Sequence, residues 1–143
     1  MKSFYAMLLC AALAAFVSIS AAQPKIETRG IASQTKIEET VYGHLAELNG
    51  KFKLRASELT IEPGGLLGAH HHAGPGLRYV LAGEVTFVQG GKATVYKAGE
   101  YFFESGDIVH NAQNRTKTPL RLILFEILRV DWSGSSVIQP KTQ

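Results

Sequence analysis

From residue 50 onward the chain consists of short runs in which apolar and polar residues alternate, separated by turn residues. Residues 52–56 and 84–88 repeat with a period of two, which is typical of β-strands with one face turned to a core. Residues 59–61 resume this alternation one position out of step, which predicts a β-bulge between the two segments. Pro63-Gly64-Gly65 then predicts the end of that strand.

The remaining runs also predict strands. Gln89-Gly90-Gly91-Lys92 is typical of a hairpin turn, and the apolar residues of 120–130 are dense enough for a strand buried on both faces. Residues 36–48 are ambiguous, because a helix-like spacing of apolar residues coexists with β-branched residues and Gly43. Many short strands at regular spacing predict an all-β sandwich or barrel.

The first 22 residues differ from the rest in their hydrophobicity. Lys2 precedes an apolar run over residues 6–19, which is too short to span a bilayer comfortably. The run ends at Ser20-Ala21-Ala22, a small-x-small cleavage pattern. This arrangement predicts a signal peptide over residues 1–22, with cleavage after Ala22 and a secreted or periplasmic mature protein. Contact with a membrane is then expected only during export.

The chain that remains has the length of a single domain. We expect an N-terminal extension over residues 23–48, a β-barrel over residues 49–130 and a C-terminal tail over residues 131–143. The two ends, about residues 23–35 and 131–143, are polar or built of small residues, so we expect them to extend from the core.

Composition excludes several kinds of site from this mature chain. The single cysteine, Cys10, lies in the leader, which excludes a disulfide scaffold, a thiolate metal site and a thiol nucleophile. Of the 15 Lys and Arg residues, Lys2 also lies in the leader, so 14 remain against 12 Asp and Glu. A net charge this small, without a long basic block, argues against nucleic acid as a partner.

Four of the five histidines form one pattern. His70 and His72 are two residues apart, so in a strand both side chains point to one face while His71 points to the other. His110 follows a second turn, Ser105-Gly106-Asp107, and a barrel could bring it opposite the pair. Because neutral imidazole is a frequent ligand of transition metals, these three residues are candidate metal ligands. A solvated loop or an adventitious nickel or zinc site is the alternative.

The sequence around the first two of these histidines resembles the first motif of the cupin superfamily. Gly64 precedes five residues and then His70-x-His72, and Gly83 follows at the family's spacing. The glutamate that the family places between the histidines and this last glycine is replaced here by Gly76.

The sequence around His110 resembles the second motif of the same superfamily. Gly99, Ser105-Gly106-Asp107, His110 and Asn114 have the spacing of the family's glycine, Pro-x-Gly turn, histidine and asparagine. Ser and Asp stand in place of the Pro and Gly, and both are ordinary turn residues. The two motifs cover about residues 50–130 and imply an all-β, double-stranded β-helix, the jelly-roll barrel of small single-domain bacterial cupins.

The resemblance implies that His70, His72 and His110 ligate a divalent transition metal: Fe, Mn, Ni, Cu or Zn. Without a glutamate at position 76, three neutral imidazoles would leave the metal its full charge and open positions for an anionic or bidentate ligand. If Gly76 faces inward, strand alternation points Arg78 inward too, where it could hold a substrate carboxylate. A place at the barrel mouth or at an interface is the alternative for Arg78.

The aromatic and acidic residues near the motifs have less specific interpretations. Phe87 and Phe102 are candidates for a substrate-binding wall, and we expect Phe103 and Phe125 in the core or wall as well. Glu84, Glu104 and Gln113 are the candidates to replace the missing carboxylate. Glu84 follows the Gly83 turn and is expected in solvent, and no spacing argument directs Glu104 or Gln113 to the metal. The sequence identifies no catalytic residue.

Two functions of different classes follow. An exported metal-dependent enzyme of the dioxygenase, isomerase or lyase class would act on a small organic molecule at the three-histidine site. A non-enzymatic periplasmic cupin would instead bind a ligand or metal at the barrel mouth, and a degenerate site in a structural protein is a weaker third hypothesis. The resemblance also implies a homodimer, with residues 23–48 and the tail after Asp131 as candidate edge or exchanged strands.

Overall fold

The computed structural model describes residues 25–141, so the leader predicted over residues 1–22 lies outside the described part of the chain. Within that part all regular structure is β, and no helix is long and apolar enough to cross a membrane. The strands are β1 Thr28–Thr40, β2 Phe52–His72, β3 Gly76–Ala82, β4 Glu84–Gln89, β5 Lys92–Lys97, β6 Tyr101–Glu104, β7 His110–Gln113, β8 Leu120–Arg129 and β9 Val137–Ile138.

Strand β2 is shared by two layers and organises the fold. Its first half pairs with β8 and with most of β1, and its second half pairs with β7 and finally with β9. One layer therefore has the order β1-β2-β8-β3-β6, and the other has the order β5-β4-β7-β2. The two layers form a nearly closed antiparallel barrel, which confirms the all-β double-stranded β-helix. The predicted hairpin turn is also present, since Gln89 of β4 pairs with Lys92 of β5.

The segment Pro63-Gly64-Gly65 bends β2 from one layer to the other. The ladder with β8 ends at Ile61, and the ladder with β7 begins at Leu66. Gly64 has a φ of 72°, a left-handed conformation that favours glycine. The backbone of Asn114 bonds to the bend on both sides, so pairing continues through it. The predicted end of the strand is therefore wrong: the turn residues redirect the strand and do not terminate it.

The first half of β2 turns charged residues inward. Its register with β8 is continuous from Phe52 to Ile61, so the predicted bulge is wrong. Lys53 and Arg55 face inward and are only 7% and 8% exposed. Both are paired with Glu38 of β1, with Lys53 Nζ 2.9 Å from the nearer carboxylate oxygen. The odd-numbered residues of this segment face inward from Lys53 to Ile61, and Leu54 faces outward. The alternation of inward and outward residues is therefore unbroken, and no bulge is needed.

Strand β8 is buried on one face. Its even-numbered residues from Leu120 to Leu128 point into the barrel, whereas Phe125 is 47% exposed. The prediction of burial on both faces is wrong, because the described chain has no layer outside this one. Phe125 and Phe103, predicted in the core or a wall, lie outside the core and line an apolar groove on the outer face. Paired residues of the five strands form an apolar row on this outer face: Ile37, Ala56, Phe125, Leu77 and Phe103.

Both chain ends are attached to the barrel. Residues 28–40 form β1 at the edge of a layer, so the ambiguous segment is a strand up to Thr40 and turns afterwards. The tail returns across the barrel, where Val137 and Ile138 pair with the histidine end of β2. The expectation that both ends extend from the core is wrong, because backbone pairing with β2 holds each of them.

Candidate metal centre

Three buried histidines meet inside the barrel. His70 and His72 are inward residues at the end of β2, and His110 begins β7 directly opposite His70. One ring nitrogen of each lies within 4.8 Å of those of the other two. His71 points to the opposite face of the strand, as the alternation predicts. The structure thus brings together the three residues that the sequence suggested as metal ligands.

Backbone carbonyls hold two of these rings in one orientation. His70 Nδ1 lies 2.7 Å from the carbonyl oxygen of Gly68, and His110 Nδ1 lies 3.0 Å from that of Ile108. Because a carbonyl only accepts, Nδ1 carries the proton in both rings and Nε2 keeps its lone pair. His110 Nε2 is buried and has no hydrogen-bond partner among the described residues. An unpartnered lone pair of this kind fits a metal ligand.

His72 lies between two buried glutamates. Its Nε2 is 3.1 Å from Oε2 of Glu104, whose other oxygen is 3.4 Å from Nε2 of His110. Its Nδ1 is 3.4 Å from Oε1 of Glu126 and 3.3 Å from the hydroxyl of Ser136. Ser136 in turn donates a 2.6 Å hydrogen bond to Glu126. The C-terminal tail therefore helps to orient a histidine of the site.

The sequence interpretation found no argument that directed Glu104 to the site and did not consider Glu126, although a signal for each was present. Phe102 was expected to face inward, so strand alternation turns Glu104 to the same face. Glu126 is the single charged residue in the row of inward leucines on β8. An acidic residue in an otherwise apolar inward row indicates a paired or ligated carboxylate.

Arg78 points into the barrel, as predicted from Gly76, and is 1% exposed. Its Nη2 lies 2.6 Å from Oε2 of Glu104 and 3.3 Å from Oε1 of Glu126. A Cβ at position 76 would collide with Nη1 of Arg78 and with the carbonyl of Phe125. The guanidinium therefore uses space that Gly76 leaves empty. Its role toward a substrate carboxylate stays a prediction, because the protein's own carboxylates already lie beside it.

The three histidines differ in the direction in which their surroundings shift the imidazole pKa. Burial lowers the pKa of His70 to about 3 and also lowers the pKa of His110. Burial acts in the same direction on His72, but the carboxylates of Glu104 and Glu126 beside its two ring nitrogens outweigh burial and raise its pKa. Two of the rings are therefore neutral, as metal ligands must be.

Both glutamates are held in the charged form. Burial disfavours the charged carboxylate of Glu104, but the adjacent His72 imidazole and the charge of Arg78 lower its pKa to about 2. Burial opposes ionisation of Glu126 as well, and hydrogen bonds from His72 and Ser136 lower its pKa nevertheless. The centre thus combines neutral imidazoles with buried anionic oxygens.

A cavity of about 660 Å³ lies beside the histidines. Phe102 lines it together with leucines, whereas Phe87 packs behind, with its ring centroid 4.8 Å from that of His110 and 5.2 Å from that of Phe102. Phe102 is thus a wall residue and Phe87 supports a histidine. A substrate contact by either stays a prediction. The cavity is also lined by Arg55 and Glu38.

Comparison with known proteins agrees with this architecture. Residues 57–126 match the family model of the cupin domain. Similar solved structures include KdgF from Halomonas sp., with 18% identity and a TM-score of 0.55 over 73% of this chain and 89% of that one.

Two further cupin-fold structures are similar. The polyketide cyclase RemF from Streptomyces resistomycificus has 18% identity and a TM-score of 0.54 over 78% of this chain and 83% of that one. An RmlC-like cupin from Shewanella frigidimarina NCIMB 400 has 22% identity and a TM-score of 0.53 over 75% of this chain and 87% of that one. At these identities the likeness shows the fold alone. The search of curated proteins finds no match.

The burial of neutral His70 predicts a pH-dependent stability of the metal-free protein. Its folded-state pKa of about 3 lies below the ordinary 6.5, so the unfolded chain binds more protons between these values and stability falls as the pH is lowered. This residue should contribute a slope of about 1.4 kcal/mol per pH unit, which His70→Asn should remove.

Urea unfolding with a chelator between about pH 6.5 and 4.5 measures this slope. The same substitution at exposed His44 serves as the control. Identical slopes for wild type and His70→Asn would contradict the burial of a neutral His70.

Proposed function

We propose that this protein is an exported cupin that binds a divalent transition metal through His70, His72 and His110 and acts there on a small organic molecule. The observation that carries the proposal is the convergence of three buried imidazoles, two of which have Nδ1 committed to a carbonyl and Nε2 free. Protein ligands of this number leave coordination positions for a further ligand. Imidazole is compatible with Fe, Mn, Ni, Cu and Zn alike.

The surroundings of the centre suit a small, partly apolar molecule. The bound metal would supply Lewis acidity or an oxygen-binding centre, as in dioxygenases, isomerases and lyases. Leu59, Leu122 and Phe102 give the cavity apolar walls that exclude water, while Ser33 and Ser57 add hydroxyl groups to its lining. The similar polyketide cyclase supports the enzymatic proposal as a fold-level analogy.

A non-enzymatic binding protein is the second candidate function. The observation in its favour is that both carboxylates beside the histidines, Glu104 and Glu126, are paired with Arg78. Neither carboxylate is then free to serve as a general base, which most proton-transfer mechanisms require. A periplasmic protein that captures a ligand or metal needs no such base.

The mature chain, expressed without an affinity tag, should contain close to one divalent metal when these five metals are supplied. His72→Ala should lose that metal because it removes one of the imidazoles, whereas His71→Ala, whose side chain is on the other face, should retain it. Elemental analysis by mass spectrometry measures the stoichiometry. A wild-type chain without metal under every supply would overturn the metal proposal, and metal retained in His72→Ala would overturn the ligand assignment.

Turnover separates the two candidate functions. The metal-loaded protein should consume oxygen, or convert a substrate without it, for at least one member of a panel of thiols, diketones and phenolics. Tight binding without turnover across the panel would favour the binding protein.

Export is supported by the sequence of residues 1–22, in which Lys2, an apolar run and the Ser20-Ala21-Ala22 site follow in order. Expression of the full chain in a bacterial host should yield a periplasmic product. Its intact mass should be that of a chain whose first residue is Gln23. A product that keeps Met1 and remains in the cytoplasm would contradict export.

We also propose that the protein is a homodimer formed through the outer face of the β1-β2-β8-β3-β6 layer. Three members of its apolar row, Phe103, Leu77 and Phe125, are 61%, 51% and 47% exposed. Monomeric proteins rarely expose a contiguous apolar surface across several strands. A second copy of the same face is an apolar partner of matching shape.

Sedimentation velocity should therefore give a dimer for the wild type and a monomer for Phe125→Lys, because the lysine would be desolvated at the centre of the interface. Val95→Lys changes an equally exposed residue on β5, in the other layer, and should remain dimeric. A monomeric wild type would contradict this assembly.

A further inference from the structure

We propose that Glu104 is a fourth protein ligand of the metal, supplied by the strand next to the one on which the cupin motif carries its glutamate. The inference rests on the proposed metal site and adds a ligand that the motif spacing did not indicate. Three independent features of the structure support it: the strand register, the distances between donor atoms, and an unpartnered carboxylate oxygen.

The register sets Glu104 directly across from the position of the missing glutamate. Gly76 of β3 pairs with Glu104 of β6 in an antiparallel ladder. Residues directly opposite in such a ladder share a face of the sheet, with their Cβ positions about 5 Å apart. A carboxylate at position 104 therefore starts beside the place where a side chain at position 76 would start, and it points into the same barrel interior.

The distances from Glu104 to two of the three histidines are those of ligands around one metal. Its oxygens are 3.1 Å from Nε2 of His72 and 3.4 Å from Nε2 of His110. Two donors about 2.1 Å from a shared metal lie about 3.0 Å apart at a right angle and about 3.4 Å apart at the tetrahedral angle. Both separations thus leave room for a common ion between the donors.

The carboxylate is also incompletely satisfied by the protein. Glu104 is 5% exposed, and its Oε2 has no hydrogen-bond partner among the described residues. Arg78 Nη2 lies 2.6 Å from this atom, but its N–H groups are not aligned along the contact. Arg78 compensates the charge of the carboxylate, but an oxygen without an aligned donor keeps unused capacity to accept, which a bound metal ion can take up.

A carboxylate ligand changes the charge available to a substrate. Three imidazoles alone would leave a divalent metal with its charge of two, whereas ligation by Glu104 lowers the charge of the metal with its ligands to one. Arg78 and Glu126 neutralise each other nearby. The centre would then hold a monoanion, such as a single carboxylate, enolate or hydroxide, in preference to a dianion.

The experiment compares two buried glutamates that contact the same histidine on opposite sides. Glu104→Gln alters the carboxylate at Nε2 of His72, and Glu126→Gln makes the same change at Nδ1. The apo forms of the mature chain are titrated calorimetrically with Zn(II) in the presence of a competing chelator. Glu104→Gln should weaken Zn(II) affinity by more than about 100-fold, whereas Glu126→Gln, which only orients a ligand, should weaken it by about 10- to 100-fold.

Two readouts do not depend on affinity. The Cu(II) electron paramagnetic resonance spectrum should change in Glu104→Gln and stay as in the wild type in Glu126→Gln. A crystal structure of the wild-type protein with Zn(II) should show a Glu104 oxygen about 2.1 Å from the ion, and this measurement stands even if the variants fail to fold.

The outcomes separate this inference from the proposed function. If the wild type binds Zn(II), while Glu104→Gln binds it equally well and the Glu104 oxygens lie outside bonding distance of the ion, the fourth ligand is overturned and the three-histidine site stands. If the wild type binds none of the supplied metals, the proposed function is overturned and the inference with it. In that case the 3.1 Å contact is an ion pair between protonated His72 and Glu104.

Discussion

The site depends on one buried cation between two buried anions. Arg78 is almost completely enclosed, and its guanidinium lies beside both Glu104 and Glu126. Charges in a protein interior are tolerated only when they are paired, so removal of Arg78 would leave two carboxylates without compensation. These two carboxylates contact opposite nitrogens of His72, which makes the orientation of that ring depend on Arg78. The inward position of Arg78 requires glycine at position 76, because a side chain there would occupy the space of the guanidinium.

The same arrangement connects the centre to the ends of the chain. Ser136 of the tail bonds to Glu126, and the adjacent backbone pairs with the end of β2 that carries the histidines. At the other end of β2, Lys53 and Arg55 bind Glu38 of β1 and also donate to the carbonyl oxygens of Trp132 and Gly134. The N-terminal strand and the tail are therefore held by charged residues on the inner face of the barrel, and the tail contributes to the geometry of the candidate metal centre.

The local sequence pattern predicted much of the fold. It failed where the question was which face of a strand is buried. Period-two alternation, the glycine pair at 90–91 and the histidine spacing indicate strands, a hairpin and a shared site, because each depends on residues close in sequence. Alternation divides a strand into two faces without saying which one is buried. The pattern at Lys53 and Arg55 therefore suggested a bulge, and β8 was expected to be buried on both faces. The inner charges are tolerated because Glu38 of β1 and the carbonyl oxygens of Trp132 and Gly134 pair with them in the folded barrel.

The amino-acid sequence by itself determined the all-β class, the barrel type and the three histidines, since these follow from short-range periodicity and from two motifs of fixed spacing. Tertiary structure alone decided the environment of those histidines. The pairing of Gly76 with Glu104, the position of Glu126 beside His72 and the enclosure of Arg78 arise from contacts between strands far apart in the chain. The physical reason is that the energy of a buried charge depends on which opposite charges surround it, and only the assembled barrel brings those partners together.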